Sequence, residues 1–445
     1  CLAAVCFVAW FYCGYPQFTT VGLSVDRQKA LGIAQSFVRQ RGVAVDDYQT
    51  AVVFKSDDWT DRYLQRTVGF AGEEKFLREQ QYDLFYWRIR FFREFQKEEY
   101  TVEVSSRTGA IISYTHRIED IEERPQVSKE AARLQAEQFL TQAYAVHLAA
   151  YDFHEEKIKR YEKRIDYAFS WEKKGVYIPW ETDKGGAKLL LGVTVSGNEI
   201  RTFYTQDLDI PEQFERDISQ QLVLGEYLVN IYFIVFIILL IISISIVVQK
   251  RSQSIVRSCK KWYIWCAVFL LAVNFGSLMN NFQSILFGYQ TSVSMGAFLG
   301  IVLLRNSINL LVMSVLLVMP GLAGETLHKE VFPDRPFASL SHYIRSSFFT
   351  RSLARAVLFG YLIFLVMIGV QSGLFWFGQK YLGVWKEWIT LVQFSSAYVP
   401  FFGAFALALN ASLNEEIMFR IFGMGWFTKY TKRLVLAVIG TALVW

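Results

Sequence analysis

The stretch Glu415-Glu416-Ile417-Met418-Phe419-Arg420 places two adjacent carboxylates and a guanidinium at the end of an apolar segment that carries no charge from Ile389 to Asn414. Near the centre of a membrane helix each acid costs about 2.5–3.5 kcal/mol. Two neighbouring acids there need a partner or a purpose. On a helix, Glu416 and Arg420 stand four residues apart, share a face and can form an ion pair. Glu415 is turned about 100° from Glu416. One carboxylate is thereby neutralised in place, and the other is left to face a cavity. A carboxylate so placed can act as a general base on a water molecule, because burial raises its proton affinity.

The elements that must position these residues follow from composition. The chain has 445 residues, of which 53% are hydrophobic, 16% aromatic and 20% charged. That mixture predicts a membrane part joined to a water-soluble part. Trp262 to Leu304 lacks Asp, Glu, Lys and Arg, whereas charges are frequent from Asp26 to Asp217. The net charge of +5 sits in short loops beside apolar runs, where Lys and Arg set membrane orientation. No basic, aromatic-interleaved face points to nucleic acid, and no phosphate loop or dinucleotide fingerprint is present.

Seven spans are expected. The first is the apolar run over residues 1–15, which reads as the tail of a trimmed helix. Tyr227 to Val248 is 22 residues without a charge, enough to cross the hydrocarbon core. The next segment, 249–261, has five basic residues and no acid, a cytoplasmic signature. Further spans are expected at about 262–282, 293–320, 356–379 and 398–422, with a seventh starting at Leu434. Lys329, Arg335, Arg345 and Arg351 place the loop 321–352 in the cytoplasm. The charged region before residue 222 then lies outside. The five cysteines (Cys1, Cys6, Cys13, Cys259, Cys266) leave that region without a disulfide. They fit membrane segments as small apolar residues.

The soluble region contains a repeat. Residues 28–38, QKALGIAQSFV, line up with 130–140, EAARLQAEQFL. Ala30, Ala34, Phe37 and Val38 match Ala132, Ala136, Phe139 and Leu140, one face of an amphipathic helix in each case. Asp26 and Ser128 supply start signals. Each helix is followed by β-rich runs around a turn, Ser-Arg-Thr-Gly within 100–116 and Ser-Gly-Asn within 187–205. The unit is a helix plus an antiparallel sheet, used twice. It resembles PepSY-type domains, which accompany proteases as propeptides and also occur on membrane proteins.

The Glu415-Glu416-x-x-x-Arg420 pattern on a membrane helix is followed by a short basic loop and another apolar helix. This resembles the first motif of the CPBP family, the CAAX- and bacteriocin-processing membrane proteases of the Ras-converting-enzyme type. The resemblance covers roughly residues 355–445. It implies a helical intramembrane protease in which Glu415 activates water while Glu416 and Arg420 hold the site. It also implies later histidine motifs, F-x-x-x-H and His-x-x-x-Asn/Asp. No histidine follows His342. Trp445 takes the aromatic position of F-x-x-x-H, which puts the expected histidine just past the final residue. No cofactor is implied, although a divalent metal stays open.

The expected organisation is a partial first helix (1–15), PepSY-like repeats one (16–120) and two (121–222), helices two to four with cytoplasmic loops (223–354), and a CPBP-like core (355–445). The expected fold class is a polytopic α-helical membrane protein with an inserted α+β extracytoplasmic domain. The expected function is an endopeptidase acting on a peptide or membrane-protein substrate at the lipid bilayer, in a bacterial cell. The alternative is a non-catalytic scaffold for envelope-protein partners. Secondary candidates are Arg305, as a membrane-embedded cation or a snorkelling helix end, and Glu325 with His328. Three residues apart on a helix, that pair suits a metal, while the plainer expectation is a solvated interfacial helix. His116, His147 and His154 lack ligand spacing.

Overall fold

The computed structural model describes residues 2–13, 22–181, 185–333 and 340–444. Cys1, Arg335 and Trp445, which figured in the sequence reading, lie outside these. In chain order the first helix is α1 (Leu2–Cys13), then come α2 (Arg27–Gln40), β1 (Gln49–Ser56), α3 (Asp58–Thr67), α4 (Gly69–Glu79), β2 (Phe85–Phe92), β3 (Glu99–Ser105) and β4 (Ile111–Arg117). The second repeat has α5 (Lys129–Ala143), β5 (Tyr151–Arg160), β6 (Ile165–Pro179), β7 (Gly186–Ser196) and β8 (Glu199–Asp209).

The eight strands form one antiparallel sheet in the order β1-β2-β3-β4-β8-β7-β6-β5. Two four-stranded meanders therefore meet at their last strands, through Ser113↔Tyr204, Tyr114↔Phe203 and Thr115↔Thr202. The expected helix-plus-sheet repeat is present, and its two sheets are fused into one. The expected turns join β3 to β4 and β7 to β8, with Gly109 and Gly197 at positive φ, a conformation glycine adopts without a Cβ penalty. α2 buries Ala30, Ala34 and Val38, and α5 buries Ala132, Ala136 and Leu140. Phe37 and Phe139 both reach Phe203 at the seam, with ring centroids 6.1 and 5.1 Å away. The Asp26 and Ser128 side chains accept from the amides of Lys29 and Ala131. Each such cap contributes about 1 kcal/mol.

The helices that follow are α6 (Glu212–Gln249), α7 (Ser254–Asn280), α8 (Phe282–Phe287), α9 (Met295–Val331), α10 (Leu340–Ser347), α11 (Arg351–Leu382), α12 (Ile389–Ser395) and α13 (Pro400–Glu415). A π-helical segment, Glu416–Gly423, then leads into α14 (Met424–Thr431) and α15 (Leu434–Val444). Among the described residues four helices are long and apolar enough to cross a membrane: α6, α7 from Cys259, α9 and α11. α1 and α15 are shorter apolar helices. α1 lies on α11 so closely that a Cβ on Gly369 would fall 2.4 Å from Cys6 Cβ. Cys6 lies on α1, and Cys259 and Cys266 lie on α7.

The sheet domain sits on the connections between helices. β1 is an edge strand, and two of its outward amides are taken up by side chains of the helical part. The Val52 amide donates to Gln283 Oε1 at 2.9 Å, and the Phe54 amide donates to Ser396 Oγ at 2.9 Å. Unpaired strand edges are templates for unwanted pairing, and these two side chains occupy this one. Arg90 donates to the carbonyls of Phe287 and Tyr289 at 3.0 and 2.7 Å. Trp388 is buried in the sheet domain's own core, edge-on to Phe85 at 5.2 Å. At the opposite ends of the helices, Lys250 and Lys429 both pair with Glu330.

Candidate functional site

α13 starts under tight control. Asn280, at the end of α7, accepts from the Val399 amide at 2.7 Å and donates to the Val399 carbonyl at 2.9 Å. Pro400 then occupies the first helical turn, where its missing N–H costs nothing. One face of α13 carries an amide ladder. Asn274 on α7 and Asn410 on α13 exchange side-chain hydrogen bonds at 2.9 and 3.1 Å. One turn on, Asn414 donates to the Asn410 carbonyl at 2.9 Å, and its Oδ1 is buried with no hydrogen-bond partner among the described residues. The next residue is Glu415.

The helix widens at this point. The backbone switches from α to π over Glu416–Gly423, so its bonds close from i to i+5, a form frequent at functional sites. Ile417, Met418, Phe419 and Phe422 point into the bundle and are buried. Glu416 and Arg420 lie on the other side, with side chains 48% and 68% exposed, and form an ion pair at 2.5 Å. The expected i,i+4 pair is therefore made, and it faces outward from the bundle. Glu415 is partly buried and lies within electrostatic reach of the Tyr232 hydroxyl on α6. Tyr232 also packs near Phe419, at 6.4 Å between ring centroids. Glu415 and the Glu416–Arg420 pair thus have separate surroundings.

The secondary candidates resolve differently. Arg305 is exposed on α9, and Asn306 beside it back-bonds to the Val302 carbonyl at 2.8 Å. The expectation of a solvated helix around Glu325 is overturned. Gly321 to Leu327 are all buried, and Glu325 accepts from Tyr263 on α7 at 3.2 Å. The cause is close packing: a Cβ on Gly324 would lie 2.8 Å from the Ile421 carbonyl carbon, and one on Gly425 would lie 3.1 Å from Leu327 Cβ. Small residues let α9 and the π-helical segment meet backbone to backbone. Among the described residues no group of three or more His, Cys, Asp or Glu side chains could hold a metal ion. His116 bridges the two repeats instead, at 2.6 Å from Glu199 and 3.2 Å from Glu98.

The Tyr263–Glu325 bond, the asparagine ladder and the π-helical turn were not anticipated from sequence. The ladder did carry a signal, because Asn410 and Asn414 are spaced i,i+4 in a charge-free apolar segment. The π turn has no sequence signature of comparable strength.

A family model described as the YcdB, YcdC repeated domain matches residues 72–185. That match runs from α4 to just before β7, out of phase with a helix-first division of the repeats. Among solved structures, the Bacillus megaterium YpeB C-terminal domain is similar at 14% identity and a TM-score of 0.23, covering 40% of this chain and 62% of that one. No curated protein matches the chain.

Proposed function

We propose that the chain is an intramembrane endopeptidase of the CPBP type, in which Glu415 activates water for peptide-bond hydrolysis. The observation that carries this reading is the division of roles at the π-helical turn. Glu416 is neutralised by Arg420 at 2.5 Å, while Glu415 is partly buried on a different bearing beside Tyr232. A carboxylate set apart from that ion pair is placed to act as a general base on a water molecule. Asn414, with its orphaned carbonyl oxygen one residue earlier, offers an acceptor for the same water. Residues 343–445 hold none of the histidines that the family resemblance calls for.

On this reading the protein resides in a bacterial cell membrane with seven spans, and the PepSY-like sheet domain is extracytoplasmic. Two features support that sidedness. The sheet domain touches the 281–299 and 383–399 connections, whereas the basic ends at Lys250 and Lys429 gather around Glu330 at the far side. Its substrate is a peptide or membrane protein presented at the bilayer.

One observation favours a scaffold instead. Glu416 and Arg420 satisfy each other on the outer surface of the bundle, as a purely structural ion pair would. Glu415→Gln in the natural full-length protein separates the two readings. Cells carrying the native or the substituted protein are compared for cleaved membrane peptides by mass spectrometry. The protease reading expects a set of cleavage products to vanish in the variant at equal protein abundance. An unchanged set of products sinks it and leaves the scaffold.

A further inference from the structure

The joint between the sheet domain and the helical part contains two buried acids. Asp61 on α3 and Glu73 on α4 are only 2% and 3% exposed, and their carboxyl groups lie within electrostatic reach of each other. Two buried carboxylates so near each other repel, which favours keeping a proton on one of them. Their cover comes from the other side of the joint. The segment 383–388, between α11 and α12, lays Lys386 and Trp388 over them. Lys386 Nζ is 3.9 Å from Glu73 Oε2, and Trp388 Nε1 donates to Asp61 Oδ1 at 3.3 Å. The Lys386 amide donates to Gln65 Oε1 at 2.8 Å. The Lys386 ammonium is also held over the rings of Phe70 and Trp388, at 4.7 and 4.8 Å.

The other charges at the joint are already committed. Arg62 pairs with Glu387 at 2.8 Å, and Arg66 donates to the Gly383 carbonyl at 2.6 Å. Among the described residues Lys386 is thus the cation facing the acid pair, 3.9 Å from Glu73, longer than a close ion pair. Two carboxyl groups and one distant ammonium are balanced when the acids share a single proton.

We propose that Asp61 and Glu73 are a proton-holding latch, which keeps the sheet domain seated on the 383–399 connection and releases it as the surrounding medium turns alkaline. This does not rest on the protease reading, since every group named lies outside the helical bundle. Burial and the neighbouring Asp61 push the Glu73 carboxyl up to about 9, and burial raises Asp61 as well. Opening the joint returns both acids to water and to the ordinary carboxylate range. A carboxyl whose value is raised in the closed state favours closure fully below its open-state value. That contribution is lost as pH rises from about 4.5 towards 9. Closure therefore takes up a proton, and alkaline conditions oppose it.

The consequence reaches the bundle directly. The released connection holds Ser396 against β1, and Tyr398 and Val399 against Asn280. α13 begins at the next residue. The latch would therefore set how firmly the helix bearing Glu415 is anchored at its start.

Hydrogen exchange of the full chain in detergent tests this, with rates corrected for the intrinsic effect of pH. Amides of residues 384–399 are compared at pH 6 and pH 9.5. Protection there should fall at least about tenfold at pH 9.5, the change that follows from one pH unit of linkage. Amides of β6 to β8 should keep theirs. Asp61→Asn and Glu73→Gln, measured separately, should each flatten the response, because an amide partner supplies the hydrogen without titrating. Three outcomes overturn the latch: protection of 384–399 that is the same at both pH values, an equal loss across β6 to β8, or a native response in both variants. If one variant fails to fold, the other still decides.

Discussion

Gly324 on α9 lies under Ile421 of the π-helical turn so closely that a Cβ there would sit 2.6 Å from the Ile421 side chain and 2.8 Å from its backbone. The backbone atom cannot swing aside as a side chain would. Gly324→Ala should therefore push α9 away from the turn and cost about 1–3 kcal/mol, the usual penalty of overpacking. Reversible unfolding in mixed micelles measures it. Gly296→Ala, on the same helix with nothing within 4 Å of the added methyl, should be close to neutral.

The amide exchange between Asn274 and Asn410 is a polar contact between α7 and α13. Interhelical hydrogen bonds in membranes average about 0.6 kcal/mol and reach about 1.7. Alanine at either position should cost an amount in that range. The double variant should cost less than the sum, since the second substitution removes a partner already lost. Additive effects in the cycle would show that the pair is not coupled.

Trp388 is the deepest anchor of the joint, packed among Phe85 and its neighbours inside the sheet domain. Trp388→Ala should destabilise the seated state by about 3–5 kcal/mol, as for other buried aromatics. The sheet itself should survive. The expected signature is loss of protection at the Phe54 amide, which depends on Ser396, with β7 amides unchanged.

Arg164 is 1% exposed in the turn before β6, where it meets Asp166 at 3.2 Å and donates to the carbonyls of Asp120 and Glu122 at 3.2 and 3.3 Å. Arg201 also reaches Asp166, at 3.0 Å. Arg164→Met should cost about 3–5 kcal/mol, because it takes one of two cations from a buried carboxylate and strands several carbonyls. A matched Arg164→Met, Asp166→Leu variant should recover part of the loss. Urea unfolding followed by circular dichroism reads both.

Parts of this molecule with strong periodicity were legible in the sequence. The Ala30–Ala34–Val38 and Ala132–Ala136–Leu140 stripes gave both repeat helices, their caps and their burial. The turn residues around Gly109 and Gly197 gave two of the sheet's hairpins. What escaped was long-range. β1 and β2 are separated by α3 and α4, and nothing local in QTAVVFKS announces that its free edge will be closed by Gln283 and Ser396. The two sheets could not be seen as one, because their only seam is the short β4–β8 pairing. At the candidate site, i,i+4 spacing foretold the Glu416–Arg420 ion pair, yet not its outward bearing. That bearing depends on the π turn and on where α9 packs. The burial of Glu325 was missed for the same reason, since it follows from Gly324 and Gly425 meeting neighbours distant in sequence.

α6 runs unbroken for 38 residues. Its first turns, through Phe214 and Ile218, are sealed into the sheet domain with Tyr63 and Trp180. Further along, Tyr232 stands beside Glu415, and Leu239 packs with Met418 and Phe422. From Ile218 to Tyr232 is about 21 Å at the helical rise, with no hinge between. The helix is then a torsion bar. A rotation of the sheet domain about this axis would swing the Tyr232 phenol past Glu415 by the same angle, so movement of the sheet would reach the acids as rotation.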